Sequence, residues 1–388
     1  MSSKARSSAA MKGEKPLRKR KKKMPSPSPS PVVLSNPLRS LQNFPIHCCF
    51  NGALRDRSRL NRTEKCLYLG INFTYGLTTQ WLTLYRKPNK NVADKSSGYH
   101  FVQVPYPNGL LPGGSSSVIA VGPNIYKIGG TKSYKFKIGK TRHSSFVSVL
   151  DCRSHRWRST SLMQVARSSS STVSVVDGKI YVAGGFEDSN SSNWIEVYDP
   201  VTKTWGSVKN PRIMDIFDEH QIRRVVKSLG LEGKLYMFGE QYRVYNPKEG
   251  TWNDMGEDRL MSRAIDSRSC ITSSSCVVDN VLFIWDRAVF KWFDSKVKLW
   301  KELNGLEGTL PGLRDREYCK MVDLGGKIAV LWEECLPYQQ INRIWCAEIS
   351  LARCDGDEIW GKVEWFDHVL SVDFSGSLLY ADAVSAVV

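Results

Sequence analysis

Four tryptophans, Trp157, Trp205, Trp252 and Trp300, recur at intervals of 48, 47 and 48 residues. Upstream of the first two, the strand-like phrases IYKIGG and IYVAGG end on Gly129-Gly130 and Gly184-Gly185. The phrase then weakens to KLYMFGE, around Gly239, and to VLFIWDR. A period of this length marks a repeat architecture, in which each small unit buries its apolar face only against the next copy. Four-stranded units of about 40–50 residues arranged round an axis are propeller blades. The ladder also moves the functional expectation from catalysis towards binding.

The units can be read from one to the next. CLYLGINF and QWLTLYRKP form a hairpin that opens the series. SSSVIAVGPNIYKIGG with SSFVSVLDCRSHRW, and SSSTVSVVDGKIYVAGG with NWIEVYDPVTKTW, give two complete units. Asp177-Gly178 is a two-residue hairpin signal, and Asp199-Pro200 is turn chemistry. A third unit turns at Glu232-Gly233 and Asn246-Pro247, and a fourth turns at Asp279-Asn280. A fifth carries a longer connection between its third and fourth strands, ending at Trp360 and Trp365. The closing segment VLSVDFSGSLLYADAVSAVV is expected to complete the first blade and lock the ring. The fold class is all-β, a propeller of six four-stranded blades.

In this reading each Gly-Gly lets an inner strand turn with positive φ where blades crowd. Each tryptophan is a plate between blades. Trp205→Ala is therefore expected to cost roughly 3–5 kcal/mol, as for a buried aromatic.

Charge divides the chain. The formal net charge is +17, and residues 1–24 hold ten Lys/Arg against one Glu, +9, leaving +8 for the rest. Residues 1–31 are basic and then Pro/Ser-rich, a composition that cannot bury enough apolar surface to order itself. The run Arg18, Lys19, Arg20, Lys21, Lys22 and Lys23 suits a nuclear-localisation signal or a solubilising tail. Specific nucleic-acid recognition is not expected, because no groove-reading fold accompanies the run. Residues 32–62 are broken by Pro37, Pro45 and Gly52, and the propeller is expected over 63–388.

No apolar stretch approaches the roughly 20 residues of a membrane span. The ten cysteines contain no Cys-x-x-Cys pair, and several sit in apolar strand patterns, so a reducing compartment, nucleus or cytoplasm, is expected. Catalytic signatures are missing: no phosphate-binding Gly-x-x-x-x-Gly-Lys-Ser/Thr loop, no His-Glu-x-x-His and no nucleophile elbow. The six histidines have no ligand spacing, and Cys152 with His155 lacks a second pair for zinc. No cofactor or metal is expected. The stretch Thr131–Ser144 displays Tyr134, Lys135, Phe136, Lys137 and Arg142 without a packing period, a mixture suited to an acidic or aromatic partner. A loop without a role would look the same.

The phrases DGKIYVAGG and WIEVYDPVTKTW resemble kelch repeats. Together with RSRLNRTEKCLYL, QWLTLYRKP and IWGKVEWFDHVL, they resemble the plant F-box/kelch-repeat proteins over roughly residues 57–388. The resemblance implies a kelch propeller that holds a protein target. It also implies an F-box that docks the adaptor subunit of an SCF-type (cullin–RING) ubiquitin ligase. Residues 32–62 depart from the F-box pattern and read as a degenerate remnant or a linker. Three functions follow: a non-catalytic protein-binding module, a working ligase receptor, or a kelch-propeller enzyme such as an oxidase.

Overall fold

Alternating apolar residues bounded by Gly, Asp and Asn turns build a chain of short antiparallel hairpins. The computed structural model describes residues 33–34, 63–72, 79–86, 97–105, 116–133, 141–168, 171–185, 193, 195–208, 225–239, 242–255, 274–316, 318–354, 358–373 and 381–388. They fall within one unit, Val32–Val388. The basic run Arg18–Lys23 lies outside the described residues.

A short strand β1 (Val33–Leu34) comes first. Blade one holds β2 (Lys65–Asn72), β3 (Thr79–Arg86) and β4 (Tyr99–Gln103). Blade two has β5 (Ser117–Val121) and β6 (Asn124–Ile128), a side hairpin β7 (Thr131–Ser133) and β8 (Thr141–His143), then β9 (Val147–Asp151) and β10 (Arg156–Ser159). Blade three is β11 (Thr172–Val176), β12 (Lys179–Ala183), β13 (Ile195–Asp199) and β14 (Thr204–Ser207). Blade four is β15 (Val225–Leu231), β16 (Lys234–Gly239), β17 (Arg243–Asn246) and β18 (Thr251–Asp254). Blade five is β19 (Ser275–Val278), β20 (Val281–Asp286), β21 (Val289–Asp294) and β22 (Leu299–Glu302). Blade six is β23 (Lys320–Asp323), β24 (Ile328–Leu336), β25 (Ile341–Cys354) and β26 (Glu358–Asp373). The last strand, β27 (Asp382–Val387), returns to blade one beside β2, so the order there is β27-β2-β3-β4. The architecture is a six-bladed β-propeller of four-stranded antiparallel sheets.

The first strands of the blades, β5, β11, β15, β19, β23 and β27, contact one another round the ring and are the innermost. Six apolar clusters fill the six junctions between neighbouring blades. Tyr126, Ile128 and Val149 of blade two, for example, meet Ile180, Val182 and Tyr198 of blade three. Leu67, Leu69 and Ile71 of blade one meet Ala329, Leu331 and Ile344 of blade six. Polar bonds between blades accompany this packing near the axis. Ser117 Oγ donates to Ser171 O at 2.7 Å, Thr172 and Ser174 hydroxyls bond Ser228, and Ser274 Oγ donates to Cys319 O at 3.0 Å.

One expectation needs correction in blade six, and the closing segment completes blade one as expected with its last strand. The fifth repeat has no long third-to-fourth connection: β25 and β26 stay in register from Ile341↔Asp373 to Cys354↔Glu358, with two bulges. Trp360 and Trp365 therefore lie inside β26. The run of alternating side chains, CAEISLARC against IWGKVEWFD, continues the ladder where a loop was expected. In the closing segment, VLSVD belongs to β26, and only DAVSAV forms the strand that completes blade one. Residue 33–34 also adds to blade six, because β1 pairs parallel with β26 at Ser371 and Val372.

Candidate binding face

In blades two to six each inner strand runs away from one face and ends in a hairpin at the other. Where the first strand turns into the second, Asp177-Gly178, Glu232-Gly233 and Asp279-Asn280 hold positive φ at both residues, the twist-matched geometry of two-residue hairpins. Third strands turn into fourth at the same face. There Asp151, Asp199, Asn246 and Asp294 each accept a backbone N–H two residues on, at 2.9–3.1 Å. These side-chain locks make it a face of tight turns.

The opposite face receives the connections between second and third strands and every connection between blades. Blade two carries 129–146 and blade three 184–194, and the inter-blade stretches include 160–171 and 303–319. The expected binding stretch Thr131–Ser144 begins and ends there. It is not wholly a loop: β7 and β8 pair as Thr131↔His143, Lys132↔Arg142 and Ser133↔Thr141. Tyr134, Lys135, Phe136 and Lys137 lie outside the described residues. Arg142 is placed on β8 as the register partner of Lys132.

Both long second-to-third connections are moored by one residue that periodicity did not flag. Arg167, fully enclosed, donates from Nε and Nη2 to Glu196 Oε2 at 3.1 and 3.0 Å. Its Nη1 reaches Gly184 O at 2.7 Å and its Nη2 reaches Asn193 O at 2.6 Å. Its own carbonyl accepts Gly130 N at 2.9 Å and Ser144 N at 3.4 Å. Arg167 thus bonds residues at both ends of both connections. Glu196 completes the knot by accepting Gln164 N at 2.6 Å and Val165 N at 3.3 Å. Burial pulls the guanidinium pKa down and Glu196 opposes that pull. A buried pair of this kind is costly to break from one side, because the partner charge is left without compensation.

The Gly-Gly pairs serve this mooring. Gly129, Gly130, Gly184 and Gly185 all have positive φ. A Cβ on Gly129 would lie 2.9 Å from Arg167 O, and one on Gly185 would lie 2.6 Å from Ser171 N. Gly239 differs: it stays extended as the last residue of β16, paired with Val225.

The tryptophans lie on outermost strands, half-buried. Trp205, Trp252 and Trp300 are register partners of Tyr198, Tyr245 and Phe293, with ring centroids 4.9, 4.9 and 5.3 Å apart. Trp157 packs on Trp81 of blade one at 5.8 Å. Trp205 also donates from Nε1 to Ser161 O at 3.0 Å, across to the stretch that follows blade two.

One buried cluster invites a catalytic reading and does not support it. The Tyr68 hydroxyl lies 3.1 Å from His155 Nε2 and 3.4 Å from Cys152 O. Burial raises the Tyr68 and Cys152 pKa values far above their ordinary ranges and lowers that of His155 to about 4. The hydroxyl and thiol keep their protons and the imidazole is neutral, closed in the core between blades one and two. Such a cluster supplies no nucleophile. Among the described residues no three His, Cys, Asp or Glu side chains are grouped to hold a metal ion. The seven described cysteines are free. No described helix is long and apolar enough to cross a membrane.

Residues 81–370 match the family description "FKB95, Kelch-repeats domain". The F-box/kelch-repeat protein At1g61540 of Arabidopsis thaliana is 66% identical over 339 residues, covering 86% of this chain and 83% of that protein. At4g39590 and At4g39580 of the same plant are 55% and 41% identical. These alignments cover 86% and 85% of this chain, and 80% and 82% of the two relatives. Among solved structures, that of YjhT aligns with 73% of this chain and 91% of its own, at 11% identity and a TM-score of 0.45. The chain belongs to the plant F-box/kelch-repeat family, and its propeller is the kelch propeller of that family.

Proposed function

We propose that the chain is a non-catalytic recognition module that holds a protein partner on the face bearing the long connections. The observation that carries this reading is the asymmetry between the faces. One face is closed by two- to four-residue turns in five of its six blades, while the other presents long connections moored by Arg167 and Glu196. Rigid mooring beneath variable loops is how scaffolds position binding residues. The register pair Lys132 and Arg142, with Lys135 and Lys137 nearby in sequence, favours an acidic partner surface.

Proximity labelling from the intact chain and from a variant with residues 134–140 replaced by Gly/Ser tests the assignment. Loss of a defined set of labelled proteins is expected, and identical sets would remove this stretch from the site.

A second reading keeps the ligase role, because the relatives are F-box/kelch proteins by name. Residues 35–60, which would dock the adaptor, lie outside the described residues. Pull-down of the SCF adaptor by the full-length chain decides it: capture establishes a working receptor, and no capture leaves a recognition module alone. The basic run Arg18–Lys23 is assigned to nuclear import. A fluorescent fusion that distributes identically without the run would refute that role.

A further inference from the structure

Charge is shared unequally among blades that are otherwise alike. Blade two with its side hairpin, residues 116–159, holds nine Lys/Arg against one acidic residue, Asp151. That net +8 equals the net charge of the whole chain after residue 24, whereas blade six, residues 320–373, holds five basic residues against ten acidic ones. Net charge needed only for solubility could sit on any blade.

Two of the basic residues stand on the outer wall. On β10, Arg156 and Arg158 are exposed on either side of Trp157, which turns the other way to pack on Trp81. Side chains two apart on a strand share a face and lie about 6.8 Å from one another. The fold does not demand charge at these places. Beside the other ladder tryptophans they hold Thr204 and Gly206, Thr251 and Asn253, and Leu299 and Lys301. Of these only Lys301 is charged, and it pairs with Asp294 and Glu358 at 3.0 and 3.2 Å. The arginines of β10 have no such pairing. Arg158 donates from Nη2 to a neutral acceptor, Asn124 Oδ1, at 3.3 Å. Asp151, the register partner of Arg156, is held by its own turn, accepting Arg153 N at 3.0 Å and the Ser154 hydroxyl at 2.9 Å. Among the described residues neither arginine forms an ion pair.

This wall continues into the face of the long connections. Where β10 ends, Thr160 N donates to Val147 O at 3.1 Å and Met163 N to Ser145 O at 2.9 Å, on the stretch that leaves the side hairpin. Lys132 and Arg142 are register partners in that hairpin. Hairpin and outer strand are thus joined in one basic track.

We propose that this track holds an extended acidic segment of a protein partner, with carboxylates at alternate positions set against Arg156 and Arg158. The proposal rests on the reading of the chain as a protein-binding module and adds the chemistry of what is bound. Alternate side chains of an extended peptide project to one side at the spacing of the two arginines, and each guanidinium presents a planar fork to a carboxylate. Nucleic acid fits less well, because single strands are held by bases stacked on exposed aromatic rings. The one ring of β10, Trp157, packs against the core between blades one and two.

Fluorescence anisotropy tests the track on the full-length chain with Arg18–Lys23 replaced by serine, which removes competition from the basic tail. An alternating glutamate–serine octapeptide is expected to bind several-fold more tightly than a block octapeptide of the same composition. Arg156→Gln with Arg158→Gln should weaken the alternating peptide about tenfold, as for loss of two charge-assisted contacts, and erase its advantage over the block. Lys234→Gln with Lys248→Gln removes two exposed charges from blade four and should leave both peptides bound as before. If the glutamine pair fails to fold, judged by near-ultraviolet circular dichroism, Arg156→Lys with Arg158→Lys decides: it keeps the charge, loses the fork, and should still weaken the alternating peptide several-fold. Equal affinity for the two peptides, unchanged binding in the folded arginine variant, or an equal loss in the blade-four variant overturns the proposal. So does arginine-dependent binding of an oligothymidylate of the same length in preference to the peptides, the mark of a nucleic-acid site. Loss of labelled proteins on replacing residues 134–140, with no effect of the arginine pair on peptide binding, keeps the protein-binding reading and discards the track.

Discussion

A buried histidine and a half-buried aspartate set opposite trends in the stability of this propeller. His155 sits on the turn between β9 and β10 at φ 50, its ring edge-on to Tyr68. Its pKa is about 4 in the fold, because of burial, against about 6.5 in an unfolded chain. Between these values the unfolded chain binds the extra proton. The stability linked to His155 is therefore complete above about pH 6.5 and is lost as pH falls towards 4, by on the order of 3 kcal/mol. Asp382 works the other way. Its pKa, raised by burial to about 6, exceeds the unfolded value of about 3.9. The carboxyl therefore destabilises the fold above pH 6 and ceases to do so as pH falls to about 4, by a similar amount. Across pH 4–6 the two slopes nearly cancel. Asp382→Asn should unmask the histidine: its urea midpoint, relative to wild type, should rise steadily between pH 4 and 6 and level off above. Parallel midpoint–pH curves for the two proteins would mean that Asp382 does not titrate in this window. Neither residue was legible beforehand, since His155 read as one of six scattered histidines and Asp382 as one acid in a closing strand.

At the scale of strands, what the sequence revealed was local and what it concealed was long-range. The eight residues from Tyr198 to Trp205, and from Tyr245 to Trp252, are one hairpin register, so the phrase YDPVTKTW carried its own pairing. The Asp and Asn locks of the turns were legible for the same reason, each bond spanning two residues. Arg167 was not, because its partner Glu196 is 29 residues away and a lone arginine in a Ser-rich stretch looks solvated. The weight of the tryptophans was also misjudged. They lie on outermost strands, where one ring face packs and the other edge meets solvent. A fully buried aromatic loses roughly 3–5 kcal/mol on truncation. Trp205→Ala should cost about 2 kcal/mol, the stacking on Tyr198 and the bond to Ser161 O included. Arg167→Met should cost more, about 3 kcal/mol or above, because it strands a buried carboxylate. Chemical denaturation of both variants ranks them, and a larger loss for Trp205→Ala would invert this account.

At the scale of the ring, stability depends on a closure made at the last residues of the sequence. Blades two to six each take their four blade strands from one continuous stretch of chain, yet blade one takes its innermost strand from β27. Six register pairs, Lys65↔Val387 to Gly70↔Asp382, join β27 to β2, and Val388 exchanges both backbone bonds with Glu64. Ala386 and Val388 are buried in the core between blades one and two, and Ala383 packs into the core between blades six and one. The Ser385 hydroxyl meanwhile bonds Asp323 O of blade six. One strand therefore completes two of the six junctions. Nearest-neighbour stability in a repeat array is shared along it, and a ring that cannot close leaves two apolar faces open instead of none. Deleting residues 381–388 should remove far more stability than its few side chains suggest. It should also leave unpaired the strand edge of β2, an edge that templates aggregation. The expected result is a truncated chain that runs as aggregate in size-exclusion chromatography and lacks the wild-type cooperative melt. Adding a peptide of residues 381–388 in excess during refolding should restore part of the monomer peak, because the missing element is a separate strand with its own ladder. A truncated chain that stays monomeric and melts within a degree or two of wild type would show that the ring is held elsewhere.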